Sequence, residues 1–186
     1  MRIVGGSARG TALASVGKGD PAAHLRPTTD RVRESLFNLL AHAPFAPDWE
    51  GVRVLDLFAG TGALGLEALS RGAIHATFID TGRKSLGLLT RNISHLRVQD
   101  RATILKRDAR RPGPGTPHHV VFLDPPYGTE LGAAALTAAM RSGWIAPGAL
   151  IVWEDSALHS LPEGMEALDQ RSYGGTRIQI ARASSG

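Results

Sequence analysis

The stretch that decides the fold runs from residue 52 to residue 65 and reads Val52-Arg53-Val54-Leu55-Asp56-Leu57-Phe58-Ala59-Gly60-Thr61-Gly62-Ala63-Leu64-Gly65. Its first part is mostly apolar and predicts a buried strand from Val52 to Leu57. The glycines that follow let the backbone turn tightly and approach a ligand closely, and a helix is predicted to start at Ala63. A strand, a glycine loop and a helix in this order predict a cofactor site at the edge of a parallel α/β sheet.

The rest of the chain continues the alternation of short apolar runs and helical stretches, which is typical of a parallel sheet with helices on both faces. A closing antiparallel pair is expected near the end, around Tyr173-Gly174-Gly175. The predicted strands are Val52 to Leu57, Ala76 to Ile79, Ala102 to Leu105, His119 to Leu123, Ala149 to Trp153, Met165 to Arg171 and Thr176 to Ala181. The predicted helices are Ala63 to Arg71, Arg83 to Leu96 and Glu130 to Ser142.

The N-terminal part is predicted to be separate from this sheet. Residues 1–27 read as a β-hairpin arm and linker, with extended segments at Arg2 to Gly5 and Gly10 to Leu13, and the arm is expected to be mobile. Good N-cap residues at Thr28 to Asp30 predict a leading helix over residues 28–43. Residues 28–186 then form the main domain.

Composition restricts the class of protein. With 186 residues and 42% hydrophobic content the chain can bury one core, and it has no apolar run of the length that a membrane span needs, so a cytoplasmic protein is expected. There is no cysteine, which excludes disulfides, thiolate metal sites and a cysteine nucleophile. The seven histidines are scattered without ligand spacing, and no metal site is predicted.

The charge indicates a polyanionic partner. The net charge is +4, and of the 21 cationic residues only Lys18, Lys84 and Lys106 are lysine, so arginine, which suits phosphate contacts, dominates. An ordinary solvated face remains the alternative for each arginine-rich segment. The predicted phosphate contacts with such a partner are on the arm and the leading helix: Arg2, Arg9, Arg26, Arg31 and Arg33. A second cationic group lies between Arg101 and Arg111.

The glycine loop alone fits two cofactors. Gly60, Gly62 and Gly65 satisfy the G-x-G-x-x-G pattern of dinucleotide sites, and Asp80 follows about 20 residues on, as a ribose-binding carboxylate should. An NAD-dependent oxidoreductase is therefore a rival interpretation. The carboxylate of Asp56 favours S-adenosylmethionine, because it would repel a pyrophosphate and attract the ammonium group of a methionine moiety. Asp108, beside Ala109, offers a carboxylate to the adenine amino group or is part of a simple surface turn.

The predicted catalytic residues are Asp124, Pro125, Pro126 and Tyr127, which follow the buried strand His119 to Leu123. Two prolines make the backbone rigid and leave acceptor groups near a carboxylate and an aromatic ring. The amino group of a nucleobase is a poor nucleophile until acceptors hold its hydrogens. Asp124 and the Pro125 carbonyl are suited to that task, and Tyr127 is suited to stacking on the base.

These residues resemble the methyltransferases that act on exocyclic amines of DNA and RNA bases. The chain is more closely similar to the RsmD family, which methylates the 2-amino group of a guanine in small-subunit (16S) ribosomal RNA. The stretches that carry this likeness are Arg2-Ile3-Val4-Gly5-Gly6, Arg26-Pro27-Thr28, Asp30-Arg31-Val32-Arg33-Glu34, Leu55-Asp56-Leu57-Phe58-Ala59-Gly60 and Gly65-Leu66-Glu67-Ala68-Leu69-Ser70-Arg71-Gly72-Ala73.

The resemblance implies a Rossmann-like class I methyltransferase with a seven-stranded, mostly parallel sheet. It also implies S-adenosylmethionine as cofactor, an assembling small ribosomal subunit as partner, and a monomer. Two departures are Asp80, where the family leads us to expect glutamate, and a short, proline-rich loop at Arg110 to Pro117. The implied cofactor residues are Asp56, Phe58, Ala59, Gly60, Thr61, Gly62, Asp80, Asp108 and Ala109.

Two further alternatives use the same residues. DNA adenine or cytosine amino methylation would need the same Asp124 to Tyr127 segment, although 186 residues leave little room for a target-recognition domain. A non-catalytic RNA-binding module is the other alternative, and the intact Asp124 beside an intact glycine loop argues against it.

Overall fold

The structure is a computed structural model that describes residues 1–15 and 29–185. In these residues seven strands form one sheet, with helices on both faces. The strands are β1 (Arg53–Leu57), β2 (His75–Asp80), β3 (Ala102–Lys106), β4 (His118–Leu123), β5 (Ile145–Asp155), β6 (Met165–Tyr173) and β7 (Thr176–Ala183). The helices are α1 (Asp30–His42), α2 (Ala63–Ser70), α3 (Arg83–Leu96) and α4 (Leu131–Arg141), and a short 3₁₀ turn spans Gln99–Arg101.

The sheet has the strand order β3-β2-β1-β4-β5-β7-β6. Strands β1 to β5 are parallel, and β7 runs antiparallel to both of its neighbours. The predicted seven-stranded, mostly parallel sheet is therefore confirmed, including its closing antiparallel pair. Since the carboxyl ends of parallel strands share one edge, the segments after β1, β2, β4 and β5 meet there.

Strand β5 is longer than predicted because it contains an irregular start. The register with β4 moves from His118 opposite Ile145 to Val120 opposite Leu150. Pro147 lies in the irregular part, where a missing N–H donor is tolerated. The continuous ladder begins near the predicted start of the strand, because Pro147 and Gly148 interrupt the apolar run that begins at Ile145.

Each face of the sheet has its own apolar core. Helices α1, α2 and α3 cover one face, where Phe37 and Leu66 pack with sheet residues such as Val54. Helix α4 covers the other face, where Leu136 packs with Leu55, the residue that follows Val54 in β1. Successive strand residues point to opposite faces, which is why both are apolar. Within the described residues, no helix combines the length and the apolar character needed to cross a bilayer.

Gly65 allows helix α2 to lie directly on the sheet. A Cβ at this position would be 2.4 Å from the Phe78 ring and 3.1 Å from Oδ2 of Asp56. A side chain at residue 65 would therefore push the helix away from β1 and β2. The glycine that the sequence assigned to a ligand-binding pattern has a packing function as well.

The N-terminal segment, residues 1–15, is packed against the domain rather than extended from it. Ile3 and Leu13 are buried in the same core as α1 and α2. The segment contains one isolated antiparallel bridge, between Arg2 and Ala12, in place of the two-stranded hairpin that we predicted. The prediction of a mobile arm is wrong for these residues, because their apolar side chains are buried.

A buried carboxylate, Glu67 on α2, holds this segment in place. Its side chain is fully buried and accepts hydrogen bonds from the Val4 backbone N–H at 2.8 Å and from Nε of Arg71 at 2.9 Å. Arg33 on α1 is also fully buried, with its Nε 3.9 Å from a Glu67 carboxylate oxygen. Helix α1, helix α2 and the N-terminal segment thus all contact one carboxylate.

Arg33 is therefore not available to RNA. Its Nη2 donates to Asp30 Oδ1 at 2.8 Å and to the backbone carbonyl of Arg2. The prediction that Arg33 contacts phosphate is corrected. Its position in the sequence suggested an exposed helix face, whereas the N-terminal segment covers it.

We expect Glu67→Ala to lower the free energy of unfolding by about 3 to 5 kcal/mol, because it leaves two guanidinium groups without their buried partner. Urea denaturation monitored by circular dichroism measures this change. The matched control is Asp169→Ala, which removes the partner of the half-exposed Arg171 and should cost less than about 1 kcal/mol. Equal losses in the two variants would contradict the anchoring role of Glu67.

Candidate active site

A cavity of about 710 Å³ opens at the carboxyl edge of the sheet. It brings together residues from the loops after β1, β2, β3 and β4, as the shared edge requires. Of the predicted site residues it is lined by Asp56, Phe58, Ala59, Gly60, Thr61, Asp80, Asp108, Ala109, Asp124, Pro125, Pro126 and Tyr127. Gly62 is not among the lining residues; it is the N-cap of α2, with a φ of 80°.

The glycine loop has an unusual backbone. Phe58 and Gly60 both have positive φ values, 61° and 56°. This conformation is strained for phenylalanine and is found most often at ligand sites. The loop is held by the neighbouring strand, since the Ala59 N–H donates to the Ile79 carbonyl at 3.1 Å.

Asp80 organises the loops around it. One carboxylate oxygen accepts the Gly60 N–H and the other accepts the Gly82 N–H, each at 2.7 Å. The carboxylate therefore joins the loop after β1 to the loop after β2. This backbone role was not foreseen from the sequence, which indicated only a ribose contact.

Asp56 is a buried carboxylate beside the cavity. Its Oδ2 accepts the Gly65 N–H at 2.9 Å, at the start of α2. Its pKa is raised from 3.8 to about 8, mainly by burial and also by the negative charge of Asp80, against the lowering effect of the Gly65 hydrogen bond. A cationic ligand group next to Asp56 would relieve this cost, whereas a phosphate would increase it. The donor set thus fits the ammonium of S-adenosylmethionine better than a pyrophosphate.

Asp108 is already paired in the structure. Its carboxylate contacts Arg110, with Nη2 of the arginine 2.6 Å from Oδ2, and this hydrogen bonding lowers the pKa of Asp108. Ala109 is buried in the apolar part of the wall. The cavity is also lined by cationic residues that were not among the predicted cofactor contacts: Arg83, Lys84, Arg107 and Arg110.

The segment Asp124 to Tyr127 lies on the other side of the cavity, after β4. The Thr129 hydroxyl donates to the Pro126 carbonyl at 2.7 Å, which adds to the stiffness of the two prolines. The pKa of Asp124 is raised well above its ordinary value, first by burial and then by the negative charges of Glu154, Asp56 and Asp155. This carboxyl group lies in an environment that favours proton acceptance.

The side chain of Tyr127 is held by hydrogen bonds of its hydroxyl group. The hydroxyl donates to Oε1 of Glu154 at 3.1 Å and lies 3.1 Å from the Thr176 hydroxyl. Glu154 is at the end of β5 and Thr176 begins β7, so both lie at the same edge as the cavity. Neither residue was predicted from the sequence. The signal that was available is the position of Glu154 directly after the predicted strand Ala149 to Trp153.

The loop after β5 is also well connected. Nε2 of His159 lies 2.9 Å from Oδ2 of Asp155, and its imidazole stacks on Trp153 with 4.6 Å between ring centroids and an interplanar angle of 1°. Gln179 of β7 makes hydrogen bonds to the backbone N–H and carbonyl of His159. These contacts hold the loop after β5 against β5 and β7.

Of the other predicted RNA contacts, Arg9 and Arg31 are exposed. Arg2 is largely exposed, with its Nε 3.6 Å from a carboxylate oxygen of Asp30. Arg26 lies outside the described residues. Of the predicted RNA contacts in the described residues, Arg2, Arg9 and Arg31 are therefore accessible and Arg33 is not.

The N-terminal segment reaches the cavity, which the sequence did not indicate. Met1 and Ser15 are among the lining residues. Asn92 of α3 exchanges hydrogen bonds with the backbone of Ala14, at 2.7 and 3.1 Å, and donates to the carbonyl of Thr61 at 3.0 Å. One buried amide thus joins the segment to the glycine loop.

Several known proteins are similar to this chain over most of its length. The chain is 42% identical over 164 residues to ribosomal RNA small subunit methyltransferase D of Escherichia coli K12, covering 87% of this chain and 78% of that protein. The protein of the same name from Haemophilus influenzae is 35% identical over 181 residues, covering 94% and 89%. The solved structure of yhhF from Escherichia coli superposes with a TM-score of 0.84 and 34% identity, covering 100% of this chain and 99% of that one.

These likenesses agree with the Rossmann-like methyltransferase fold. They favour a methyltransferase over the alternative of an NAD-dependent oxidoreductase. The family model described as Conserved hypothetical protein 95 matches residues 1–182, almost the whole chain. The chain belongs to this family, the RsmD family of ribosomal RNA small subunit methyltransferases.

Proposed function

We propose that this protein transfers a methyl group from S-adenosylmethionine to the exocyclic 2-amino group of a guanine in 16S ribosomal RNA, within an assembling small subunit. The observation that carries the proposal is one cavity with Asp56 on one side and the Asp124 to Tyr127 segment on the other. Family membership supports the RNA substrate over DNA. We expect the enzyme to act as a monomer in the cytoplasm.

The cofactor half of the site consists of the loops after β1, β2 and β3. S-adenosylmethionine, when bound, supplies an electrophilic methyl group on a positively charged sulfonium. Asp56 would hold the ammonium group of the methionine part, and Asp80 would offer its remaining acceptor capacity to the ribose. Asp108 would reach the adenine amino group only by sharing its carboxylate with Arg110. Phe58 and Ala109 provide apolar wall.

The base half of the site holds the amine. Asp124 and the Pro125 carbonyl would accept the hydrogens of the guanine amino group, which concentrates its lone pair on nitrogen. The raised pKa of Asp124 makes it a suitable acceptor for the proton that the amine loses. Tyr127 would stack on the base, which excludes water from the reacting nitrogen. These residues act by orientation and by charge.

The proposal is tested by methyl transfer from labelled cofactor to purified small subunits, followed by mapping of the modified base. In this assay Asp124→Ala should lower kcat by about 10²- to 10³-fold, as expected for loss of a transition-state hydrogen bond. The cofactor affinity of this variant, measured by calorimetry, should equal that of the parent. Asp100→Ala, at an exposed aspartate of the 3₁₀ turn, is the matched control and should be fully active. Methylation of a nucleobase other than guanine would refute the proposed substrate.

A second prediction concerns Asp56 and pH. Its folded pKa is raised, so the stability that it contributes is present in full below pH 3.8 and is lost as the pH rises towards about 8. Asp56→Asn removes this loss. The melting temperature of the unliganded variant, relative to that of the parent, should therefore increase between pH 5 and pH 8.5.

The same variant tests the cofactor contact. S-adenosylmethionine should raise the melting temperature of the parent more than that of Asp56→Asn, because the variant lacks the carboxylate that faces the ammonium. NAD should raise neither. An equal shift in both proteins with S-adenosylmethionine would place the ammonium elsewhere.

A third prediction concerns RNA binding by Arg9 and Arg31. Phosphate contacts release counterions, so each of Arg9→Gln and Arg31→Gln should reduce the slope of log affinity against log salt by about 0.7 to 0.9. The matched control is Arg141→Gln, an exposed arginine on α4, which covers the opposite face of the sheet. Unchanged slopes in the first two variants would show that other cations bind the RNA, and the rim residues Arg107 and Arg110 would be tested next.

A further inference from the structure

The hydroxyl of Tyr127 makes two hydrogen bonds that stacking on a base does not require. A phenylalanine would present the same aromatic face, yet the tyrosine hydroxyl lies 3.1 Å from each of two side chains on different strands. One of them, Glu154, is 2% exposed, and a buried carboxylate is costly. It also lies close enough to Asp124 to raise the pKa of that group. An unfavourable group in this position calls for a functional explanation.

The hydrogen bonds form a chain with a defined direction. The phenol has one proton, which it donates to Glu154, so the Tyr127 oxygen accepts from Thr176. The other end of the residue is restrained by Pro125 and Pro126 and by the bond from Thr129 to the Pro126 carbonyl. The ring is thus held at both ends while part of it still lines the cavity.

We propose that Glu154 and Thr176 are positioning residues, which fix the ring of Tyr127 for stacking on the target guanine before the RNA binds. The inference rests on the function proposed above and assigns a specific task to two residues outside the Asp124 to Tyr127 segment. Preorganisation of this kind removes the entropy cost of ordering a side chain during binding. The loss of the Thr176 hydroxyl, which carries no charge towards Asp124, should therefore raise KM for the small subunit and leave kcat and cofactor affinity unchanged.

The first test measures the ring directly and needs no activity. The chain has two tyrosines, so protein labelled with 3-fluorotyrosine gives two fluorine NMR signals, and Tyr127→Phe assigns them. In the parent the Tyr127 signal should have the width of an immobile ring. In Thr176→Val and Glu154→Ala it should narrow, as the ring becomes mobile. Thr103→Val is the matched control, because it removes an exposed hydroxyl that pairs with His75 on the other half of the sheet.

The second test uses kinetics on small subunits. Thr176→Val and Glu154→Ala should each raise KM about three- to tenfold, the range expected for one side chain that must be ordered on binding. Glu154→Gln should restore KM, because the amide oxygen also accepts a hydrogen bond from the phenol. In a Tyr127→Phe background, Thr176→Val should have no further effect on KM, since both substitutions remove the same interaction.

Each outcome has a distinct meaning. A narrowed Tyr127 signal with raised KM supports the proposal. An unchanged signal, or a mobile ring with unchanged KM in an active enzyme, overturns it and leaves the methyltransferase function intact. If the parent does not methylate small subunits although the ring is immobile, the proposed function fails, and with it the assigned task of the two residues. If Glu154→Ala does not fold, Thr176→Val and Glu154→Gln still decide the question.

Discussion

The concentration of carboxylates at one edge of the sheet constrains the whole structure. Asp56 of β1, Asp124 after β4, and Glu154 and Asp155 at the end of β5 belong to three neighbouring strands. Burial raises the pKa of Asp124, and the negative charges of the other three raise it further. The chain offsets part of the cost with hydrogen bonds to these groups, such as the one from the Gly65 N–H. The remaining imbalance makes the edge receptive to a positively charged ligand.

The two halves of the site have different mechanical support. The cofactor half is tied to the N-terminal segment, through the buried Glu67 and through Asn92, which contacts both Ala14 and Thr61. The base half is tied to the antiparallel end of the sheet through β5 and β7. The parallel pairing of β1 with β4 joins the halves, and this pairing sets the distance between the Asp56 side and the Asp124 side of the cavity. A substitution in one half should therefore affect the other through that pair of strands, or through the charge of Asp56, which raises the pKa of Asp124.

The sequence predicted the features that depend on local signals. Apolar alternation was sufficient for the sheet, and the segment Asp124 to Tyr127 was recognisable because its chemistry lies in four consecutive residues. Contacts between distant residues were not predictable in this way. Arg33 is buried only because residues 1–15 cover it, and the bond from Tyr127 to Thr176 depends on the antiparallel return of β7. Periodicity along a helix says which residues share a face, but it does not say what covers that face.

The parallel stacking of His159 on Trp153 makes this tryptophan an intrinsic fluorescence probe. An imidazolium in contact with an indole quenches its fluorescence strongly, while a neutral imidazole does so less. The emission of Trp153 should therefore change with any movement of the loop that carries His159. Because Gly132 of α4 lies against the same indole, the wavelength and intensity of the Trp153 emission also depend on how closely α4 packs on the sheet. In a variant that keeps Trp153 as its one tryptophan, a movement of α4 or of this loop could thus be followed without attaching a dye.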